Sequence, residues 1–272
     1  MTTELHVKRV GEGVAVILLH GLFGSGSNLG VVARALQAQY AVYSVDLPSH
    51  GRSAWLADPT VPGMVARVLC WMDAQGIAQA HFLGHSLGGK VAMELALQQP
   101  ERLLSLVVAD IAPVRYAGSH DAVFAALDAV ATSPCHSRQE AAMRMSAFLE
   151  EDSVIQFLLS SLERDKEGGY RWRFDVAGLR AGYASLLDAP APGRRYEGPV
   201  LFIKGSESDY LQRRYWPAIR TLFPVATVKV MDGCGHWLHA QKPALFTSIV
   251  SRFLASLEHS KLGATDNSEE ER

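Results

Sequence analysis

The pentapeptide GHSLG, residues 84–88, follows a short apolar strand pattern, His81–Leu83, and leads into a helical pattern, Leu87–Gln98. It matches G-x-S-x-G, in which a serine is carried on a sharp turn from a strand to a helix. A serine hydroxyl needs this exposure and a nearby base to act as a nucleophile, and the two glycines leave room for close packing. An ordinary glycine-rich turn also matches the pentapeptide alone, but the flanking strand and helix favour a catalytic turn. We therefore predict that Ser86 is a nucleophile.

Short β-branched runs alternate with longer helical patterns on both sides of this turn. Apolar runs without alternation are typical of strands buried on both faces, and strands separated by helices indicate βαβ units around a mostly parallel sheet. The strand patterns are Val14–Leu19, Ala41–Val45, His81–Leu83, Leu104–Ala109, Val200–Lys204 and Ala226–Met231. The helical patterns of this part are Asn28–Gln39, Val61–Gln75, Leu87–Gln98 and Pro243 to about Leu257. The sequence predicts an α/β fold with a central sheet flanked by helices.

The rhythm of strands and helices is interrupted between residues 113 and 190. This stretch contains no convincing strand pattern and has the periodicity of amphipathic helices at Asp121–Ala131, Arg138–Glu150 and Ser153–Glu163. We therefore expect residues 1–112 and 191–257 to form the α/β core and residues 113–190 to form a helical cap. Residues 258–272 are polar and acidic, so we expect a disordered tail there.

Composition narrows the range of partners. The 272 residues are 48% apolar and 20% charged, with a formal net charge of −2, so no basic surplus favours a nucleic acid. The three cysteines are widely spaced and indicate neither a disulfide framework nor a metal site. No apolar stretch has the length of a membrane span, and Met1–Gly13 lacks the apolar run of a signal peptide. These features predict a cytoplasmic protein that acts on a small molecule.

A base for Ser86 is found in the loop GCGHW, residues 233–237, which follows the last strand pattern. Ligand-facing loops of such sheets lie at the carboxyl ends of strands, so position singles out His236 among the 10 histidines. We expect His85 to support the turn that carries Ser86. The other histidines considered, expected at the surface or in the cap, are His120, His136 and His239.

The segment HGLFGS, residues 20–25, follows the strand pattern Val14–Leu19. A loop in this place can direct a backbone N–H at a developing oxyanion, together with the N–H of the residue after the nucleophile. We therefore predict that Leu22 and Leu87 supply the oxyanion hole. The alternative is a simple glycine turn in which His20 has a structural role.

The carboxylate that would orient His236 has two candidate positions. Asp110 follows the strand pattern Leu104–Ala109, whereas Glu207 and Asp209 follow the strand pattern Val200–Lys204. Both positions lie at the carboxyl end of a strand, the edge from which Ser86 also emerges. Whichever acid is not used would be a capping or solvated loop residue.

Taken together, these motifs resemble the α/β-hydrolase superfamily, and in particular its bacterial YbfF-type esterases and the mammalian abhydrolase-domain-11 proteins. The resemblance covers about Val14 to Leu254. It rests on HGLFGS (20–25), NLG (28–30), Asp46 with HG (50–51), GHSLGGK (84–90), DIAPV (110–114) and GHWLHA (235–240). In that branch a serine occupies the usual position of the acid, and the acid comes from the earlier strand. The resemblance therefore favours Asp110 as the acid, with Ser208 as a second hydrogen-bond partner of His236.

The resemblance implies a hydrolase of short-to-medium acyl esters that needs no metal or cofactor, with acyl-CoA thioesters as the alternative substrates. It places the helical cap after the sixth strand, where the cap would shape an acyl pocket. Phe23 and Trp237 are the first candidates to line that pocket. The further aromatic candidates, each equally compatible with the core, are Phe148, Phe157 and Trp172.

Other functions use the same scaffold. A carbon–carbon hydrolase or lyase shares the fold, whereas a dehalogenase would need a carboxylate where Ser86 stands. A small-molecule receptor that keeps the triad without turnover is the alternative from outside the enzymes. Multiple turnovers of p-nitrophenyl esters would favour the enzyme, and a single slow burst would favour the receptor.

Overall fold

The computed structural model describes residues 4–165 and 168–266. Its main sheet has seven strands, which are β1 (Val7–Val10), β2 (Val14–Leu19), β3 (Tyr40–Val45), β4 (Ala80–His85), β5 (Leu103–Ala109), β8 (Val200–Gly205) and β9 (Thr227–Met231). Their order across the sheet is β1-β3-β2-β4-β5-β8-β9. Only β1, at one edge, runs antiparallel to its neighbour. The prediction of a mostly parallel α/β sheet is confirmed.

Helices cover both faces of this sheet. They are α1 (Gly30–Leu36), α2 (Val61–Ala74), α3 (Leu87–Gln98), α9 (Trp216–Leu222), α10 (Leu238–Gln241) and α11 (Pro243–Asp266). Side chains alternate between the two faces of a strand, so Phe82 lies in the apolar cluster with α2 and α3 while Leu83 lies in the cluster with α1 and α11. Because the parallel strands end at the same edge, the loops after β2, β4, β5, β8 and β9 meet there.

Residues 110–199 lie between β5 and β8, and the helices of the expected insertion, residues 113–190, fall within this segment. It contains α4 (Asp121–Ala131), α5 (Arg138–Met145), α6 (Asp152–Leu159), α7 (Val176–Ala181) and α8 (Tyr183–Leu186). Its apolar side chains, such as Leu127 and Leu158, join the same cluster as α2 and α3. The insertion therefore packs on the core as a continuation of one of its apolar layers.

The prediction that this insertion lacks strands is wrong. β6 (Leu162–Arg164) and β7 (Tyr170–Trp172) form an antiparallel pair, and the helix predicted to reach Glu163 ends at Leu159. Strands of three residues are too short to display an alternating pattern in the sequence, so periodicity could not reveal them.

Two further boundaries differ from the predicted ones. Five strands precede the insertion, not six, because only β1 is added to the four strand patterns found in that part of the sequence. The tail predicted to be disordered from residue 258 is helical as far as Asp266, and residues 267–272 lie outside the described part. The apolar face of α11 is anchored by Phe246, Val250 and Leu254, and adding residues to an existing helix costs little. Within the described ranges, every helix is too short or too polar to span a lipid bilayer.

Candidate active site

Ser86 lies on a strained turn between β4 and α3. Its φ of 52° is in the left-handed region, which a non-glycine residue enters at a cost of about 1–3 kcal/mol. The glycines on either side are sterically required: a Cβ on Gly84 would lie 2.2 Å from the carbonyl oxygen of Gly88, and one on Gly88 would lie 2.2 Å from that of Leu19. The pentapeptide therefore forms the sharp turn that the sequence predicts.

His236 and Asp110 form a hydrogen-bonded pair at the same edge of the sheet. The Nδ1 of His236 lies 2.8 Å from Oδ2 of Asp110, whose side chain is fully buried. A carboxylate accepts, so Nδ1 carries the proton and Nε2 remains free as a base. Ser86 and His236 line one cavity, and within the described ranges no hydrogen bond joins their side chains. Such bonds are often long or misaligned before a substrate binds.

Asp110 is held by donors other than the imidazole. The N–H of Gly205 donates to its Oδ1 at 3.1 Å, and the hydroxyl of Ser208 donates to its Oδ2. Asp209 instead accepts a hydrogen bond from Gln212 and is exposed. The geometry therefore joins His236 to Asp110 and leaves Asp209 at the rim of the cavity. Ser208, expected as a second hydrogen-bond partner of His236, donates instead to the carboxylate of Asp110.

The loop after β2 places its backbone beside the nucleophile. A Cβ on Gly21 would lie 3.3 Å from Cβ of Ser86, so the backbone at Gly21 lies close to the nucleophile. The N–H of Gly24 donates to the carbonyl of Gly21 at 3.1 Å, and Phe23 has a φ of 63°, which closes a tight turn around Leu22.

His20 fixes the orientation of this turn. Its Nε2 accepts from the N–H of Leu47 at 2.9 Å, so Nδ1 carries the proton and donates to the carbonyl of Gly21 at 2.8 Å. Because a trans peptide directs its N–H opposite to its C=O, this bond also orients the N–H of Leu22. Burial lowers the pKa of His20, which keeps the ring neutral.

Two further histidines, His85 and His239, pack near His236. The Nε2–H of His85 donates to the carbonyl of His236 at 2.8 Å, so the end of β4 is bonded to the loop that carries His236. The ring of His239 packs against His85 with 4.4 Å between centroids. His239 is buried, and burial, followed by the charge of His236, lowers its pKa to about 4. The prediction that His239 lies at the surface or in the cap is therefore wrong, because α10 places its ring against His85.

A cavity of about 530 Å³ opens onto Ser86 and His236. Its wall includes Leu22, Phe23 and Trp237 from the core, together with residues of the insertion. Those from the insertion are Ser119, His120, Val123, Glu151, Ser153, Val154, Phe157 and Leu158. Trp237 and Phe157 pack against each other across the boundary, with 5.6 Å between ring centroids.

Not all predicted aromatic residues line this cavity. Phe148 is 46% exposed at the surface of the insertion. Trp172 is buried, stacks on Phe174 and donates from Nε1 to the carbonyl of Leu127, so it belongs to the core of the insertion. Aromatic type alone could not separate these positions from Phe157.

The charges on the cavity wall are of one sign. Glu151, Glu207 and Asp209 line it, and no lysine or arginine of residues 4–165 or 168–266 does. These carboxylates come from both the insertion and the loop after β8. The three exposed carboxylates therefore form a negative rim on a cavity whose wall also holds apolar side chains such as Val154 and Phe157.

The sequence analysis assigned no role to two residues that lie near the site, Tyr210 and Lys90. Tyr210 stacks on the ring of His236, and the buried ammonium of Lys90 donates to the carbonyls of Val114, Leu187 and Asp188. Lys90 thereby joins both ends of the insertion to α3. Its place four residues after the nucleophile, within the family motif, was the available signal.

A parallel sheet of this order, with a serine on the turn after β4 and a histidine–aspartate pair beside it, defines a class of enzymes. The chain belongs to the alpha/beta hydrolase family, whose sequence model matches residues 16–248. It is 41% identical over 245 residues to esterase YbfF of Escherichia coli strain K12, covering 88% of this chain and 92% of that protein.

More distant relatives extend this comparison. The chain is 35% identical over 249 residues to the sn-1-specific diacylglycerol lipase ABHD11 of Mus musculus, covering 89% of this chain and 81% of the relative. The solved structure of a marine microorganism esterase superposes with a TM-score of 0.88 at 32% identity, over 93% of this chain and 100% of that one.

Proposed function

We propose that the protein is a serine carboxylic ester hydrolase that acts on short-to-medium acyl esters through an acyl-enzyme on Ser86. The observation that carries this proposal is the 2.8 Å bond between His236 and Asp110 at a cavity that Ser86 also lines. The similarity to esterases of Escherichia coli and of a marine microorganism supports the same reaction class.

In the proposed mechanism, Nε2 of His236 takes the hydroxyl proton as Oγ of Ser86 attacks the ester carbonyl. Asp110 holds the ring in the required tautomer and stabilises the imidazolium. The backbone N–H groups of Leu22 and Leu87 hold the oxyanion; removal of one such donor typically costs about 10²–10³ in rate. The imidazolium then protonates the leaving alcohol, and water activated by His236 releases the acyl group.

We propose that residues 113–190 act as a cap over this site. Phe157 and Val154 line the same cavity as Phe23 and supply apolar surface that suits an acyl chain, and the cap would exclude water from the reacting carbonyl. Phe23 and Trp237 are the proposed pocket residues contributed by the core.

The rim charge favours neutral esters over acyl-CoA thioesters. Glu151, Glu207 and Asp209 would repel the phosphates of coenzyme A. An acyl-CoA thioesterase is therefore the second candidate, and a non-turnover receptor remains the candidate from outside the enzymes. A cytoplasmic location stays a prediction.

The decisive experiment measures hydrolysis of p-nitrophenyl esters from two to twelve carbons, beside acyl-CoA esters, for the wild type and Ser86→Ala. We expect many turnovers by the wild type, best with short-to-medium chains, and a loss of at least about 10³-fold in Ser86→Ala. Ser133→Ala, an exposed serine of the insertion, is the matched control and should keep full activity. Activity that persists in Ser86→Ala, or a single burst by the wild type, would contradict the proposal.

A further inference from the structure

The aromatic ring of Tyr210 lies directly on the imidazole of His236. The ring centroids are 4.0 Å apart and the planes are 25° from parallel. An aromatic face within about 6 Å attracts a cation because the ring quadrupole places negative charge above its plane. An imidazolium formed at this position would therefore be stabilised by the ring of Tyr210.

The backbone of Tyr210 is fixed by the hydroxyl of Tyr116. This hydroxyl donates to the carbonyl of Tyr210 and accepts from the N–H of Ala112 at 2.8 Å. The N–H of Tyr210 also donates to Oγ of Ser208 at 3.2 Å. One phenol thus joins the loop after β8 to the segment that follows Asp110, the partner of His236.

Tyr116 is in turn held against the nucleophile helix. The ammonium of Lys90 lies 5.1 Å from the centre of the Tyr116 ring, and Lys90 belongs to α3, which begins directly after Ser86. Burial raises the pKa of both Tyr116 and Tyr210, so both hydroxyls stay protonated over the working pH range. A continuous set of contacts therefore runs from α3 to the catalytic imidazole.

We propose that Tyr210 and Tyr116 are positioning residues for the base, in which the ring of Tyr210 favours the imidazolium and the hydroxyl of Tyr116 holds that ring in place. The inference rests on the proposed function, because it assigns His236 as the base. The Oγ–H proton of Ser86 passes to Nε2 of His236 as Oγ bonds to the acyl carbon and the π pair of the carbonyl moves to its oxygen, which becomes the oxyanion. Neither phenol exchanges a proton in this step.

Several other groups that carry or acquire charge face His236 or its cavity, and the variants below leave all of them unchanged. They are Asp110, the histidines His85, His239 and His120, and the rim carboxylates Glu151, Glu207 and Asp209. A change in the pH profile that is limited to variants of Tyr210 or Tyr116 is therefore assigned to their contacts.

The test measures kcat and KM for p-nitrophenyl butyrate between pH 5 and 9. Tyr210→Phe keeps the ring and should stay within about twofold of the wild type. Tyr210→Leu keeps an apolar contact but loses the ring face, so kcat should fall about tenfold with KM within about twofold. Its imidazolium is less stable, so the acidic limb of kcat/KM should move to lower pH by about half a unit or more.

Two variants complete the series. Tyr116→Phe, which removes only the hydroxyl, should lower kcat about threefold and shift the acidic limb in the same direction. The matched control is Tyr215→Leu, since Tyr215 packs on Tyr116 at 5.9 Å between centroids but makes no ring contact with His236. It should keep the kcat and the acidic limb of the wild type.

A second measurement does not depend on turnover. The pKa of His236 is read by NMR titration in Ser86→Ala with either tyrosine or leucine at position 210, and the leucine form should titrate at lower pH. Should Tyr210→Leu fail to fold, phenylalanines with increasing ring fluorination at position 210 keep the shape and should lower kcat in graded steps.

Unchanged kcat and an unchanged acidic limb in Tyr210→Leu, an equal effect of Tyr215→Leu, or a flat fluorination series would overturn the inference. If the wild type hydrolyses no ester, the proposed function fails instead. The NMR titration then still decides whether the ring of Tyr210 stabilises the imidazolium.

Discussion

The catalytic edge of the sheet and the helical insertion are specified by different kinds of sequence. At the edge, Phe23, Ser86 and Asp110 have positive φ, glycines are needed for close backbone approach, and polar groups such as Asp110 are fully buried. The insertion is instead made of amphipathic helices joined by partly exposed ion pairs such as Arg180 with Asp128. Exposed pairs of this kind contribute little, so the edge depends on particular residues whereas the insertion depends on a pattern.

The largest effect that tests this contrast is expected for the carboxylate that orients His236. Asp110→Asn should lower kcat by about 10⁴-fold, because an amide partner disfavours the tautomer of His236 that leaves Nε2 free. Asp209→Asn removes an exposed carboxylate of the same cavity and should stay within about twofold of the wild type. Both are measured with p-nitrophenyl butyrate. The reverse order of effects would show that Asp209 is the acid.

Backbone space gives a matched pair of glycine substitutions. A Cβ on Gly88 would lie 2.2 Å from the backbone oxygen of Leu19, so Gly88→Ala should lower the free energy of unfolding by about 3 kcal/mol or more. In the insertion, a Cβ on Gly118 would lie 3.6 Å from its nearest neighbour, Tyr183. Gly118→Ala should therefore change the free energy of unfolding by less than about 0.5 kcal/mol. Urea denaturation measures both. Equal effects would contradict the contrast between the two regions.

The same contrast explains which parts of the fold and of the site could be predicted from the sequence. At the edge, covalent geometry limits which residues are tolerated, so the G-x-S-x-G motif and the loop after the last strand pattern predicted Ser86 and His236. The residues alone left Asp110, Glu207 and Asp209 as alternative acids, and the family resemblance favoured Asp110. Tyr210 was missed because a stacked ring depends on the tertiary arrangement of two loops and has no local pattern. In the insertion, the helix Asp121–Ala131 was predicted with its correct bounds, whereas the hairpin of β6 and β7 was too short to be detected.

A third prediction concerns acid stability, which should depend on the edge. The pKa of buried His239 is lowered to about 4, and its Nδ1 has no hydrogen-bond partner. Between about pH 6.5 and 4 the unfolded chain therefore binds this proton and the folded chain does not, so stability is full above pH 6.5 and falls as the pH decreases. For this residue alone the loss at pH 5 is about 2 kcal/mol.

The measurement compares urea denaturation at pH 8 and pH 5 for the wild type and His239→Phe, which keeps a ring but cannot titrate. The variant should lose about 2 kcal/mol less than the wild type over this range. His136→Phe, at an exposed position of the insertion, is the control and should leave the pH dependence unchanged. An identical pH dependence in all three proteins would contradict the burial argument.

The smallest predicted effect is on KM for butyryl-CoA and involves both regions. The edge contributes Glu207 and Asp209 to the negative rim, and the insertion contributes Glu151. Repulsion across the cavity mouth should raise KM for butyryl-CoA without affecting the neutral p-nitrophenyl butyrate. The double variant Glu207→Gln with Asp209→Asn should therefore lower KM for butyryl-CoA about threefold at low salt, and the gain should disappear near 0.5 M salt as the charges are screened. Glu4→Gln with Glu12→Gln changes the net charge equally at exposed positions outside the cavity and should have no such effect. A decrease in KM that is equal in the control would mean that net charge, and not the rim, sets the preference for neutral esters. A decrease that does not depend on salt would mean that local packing sets it.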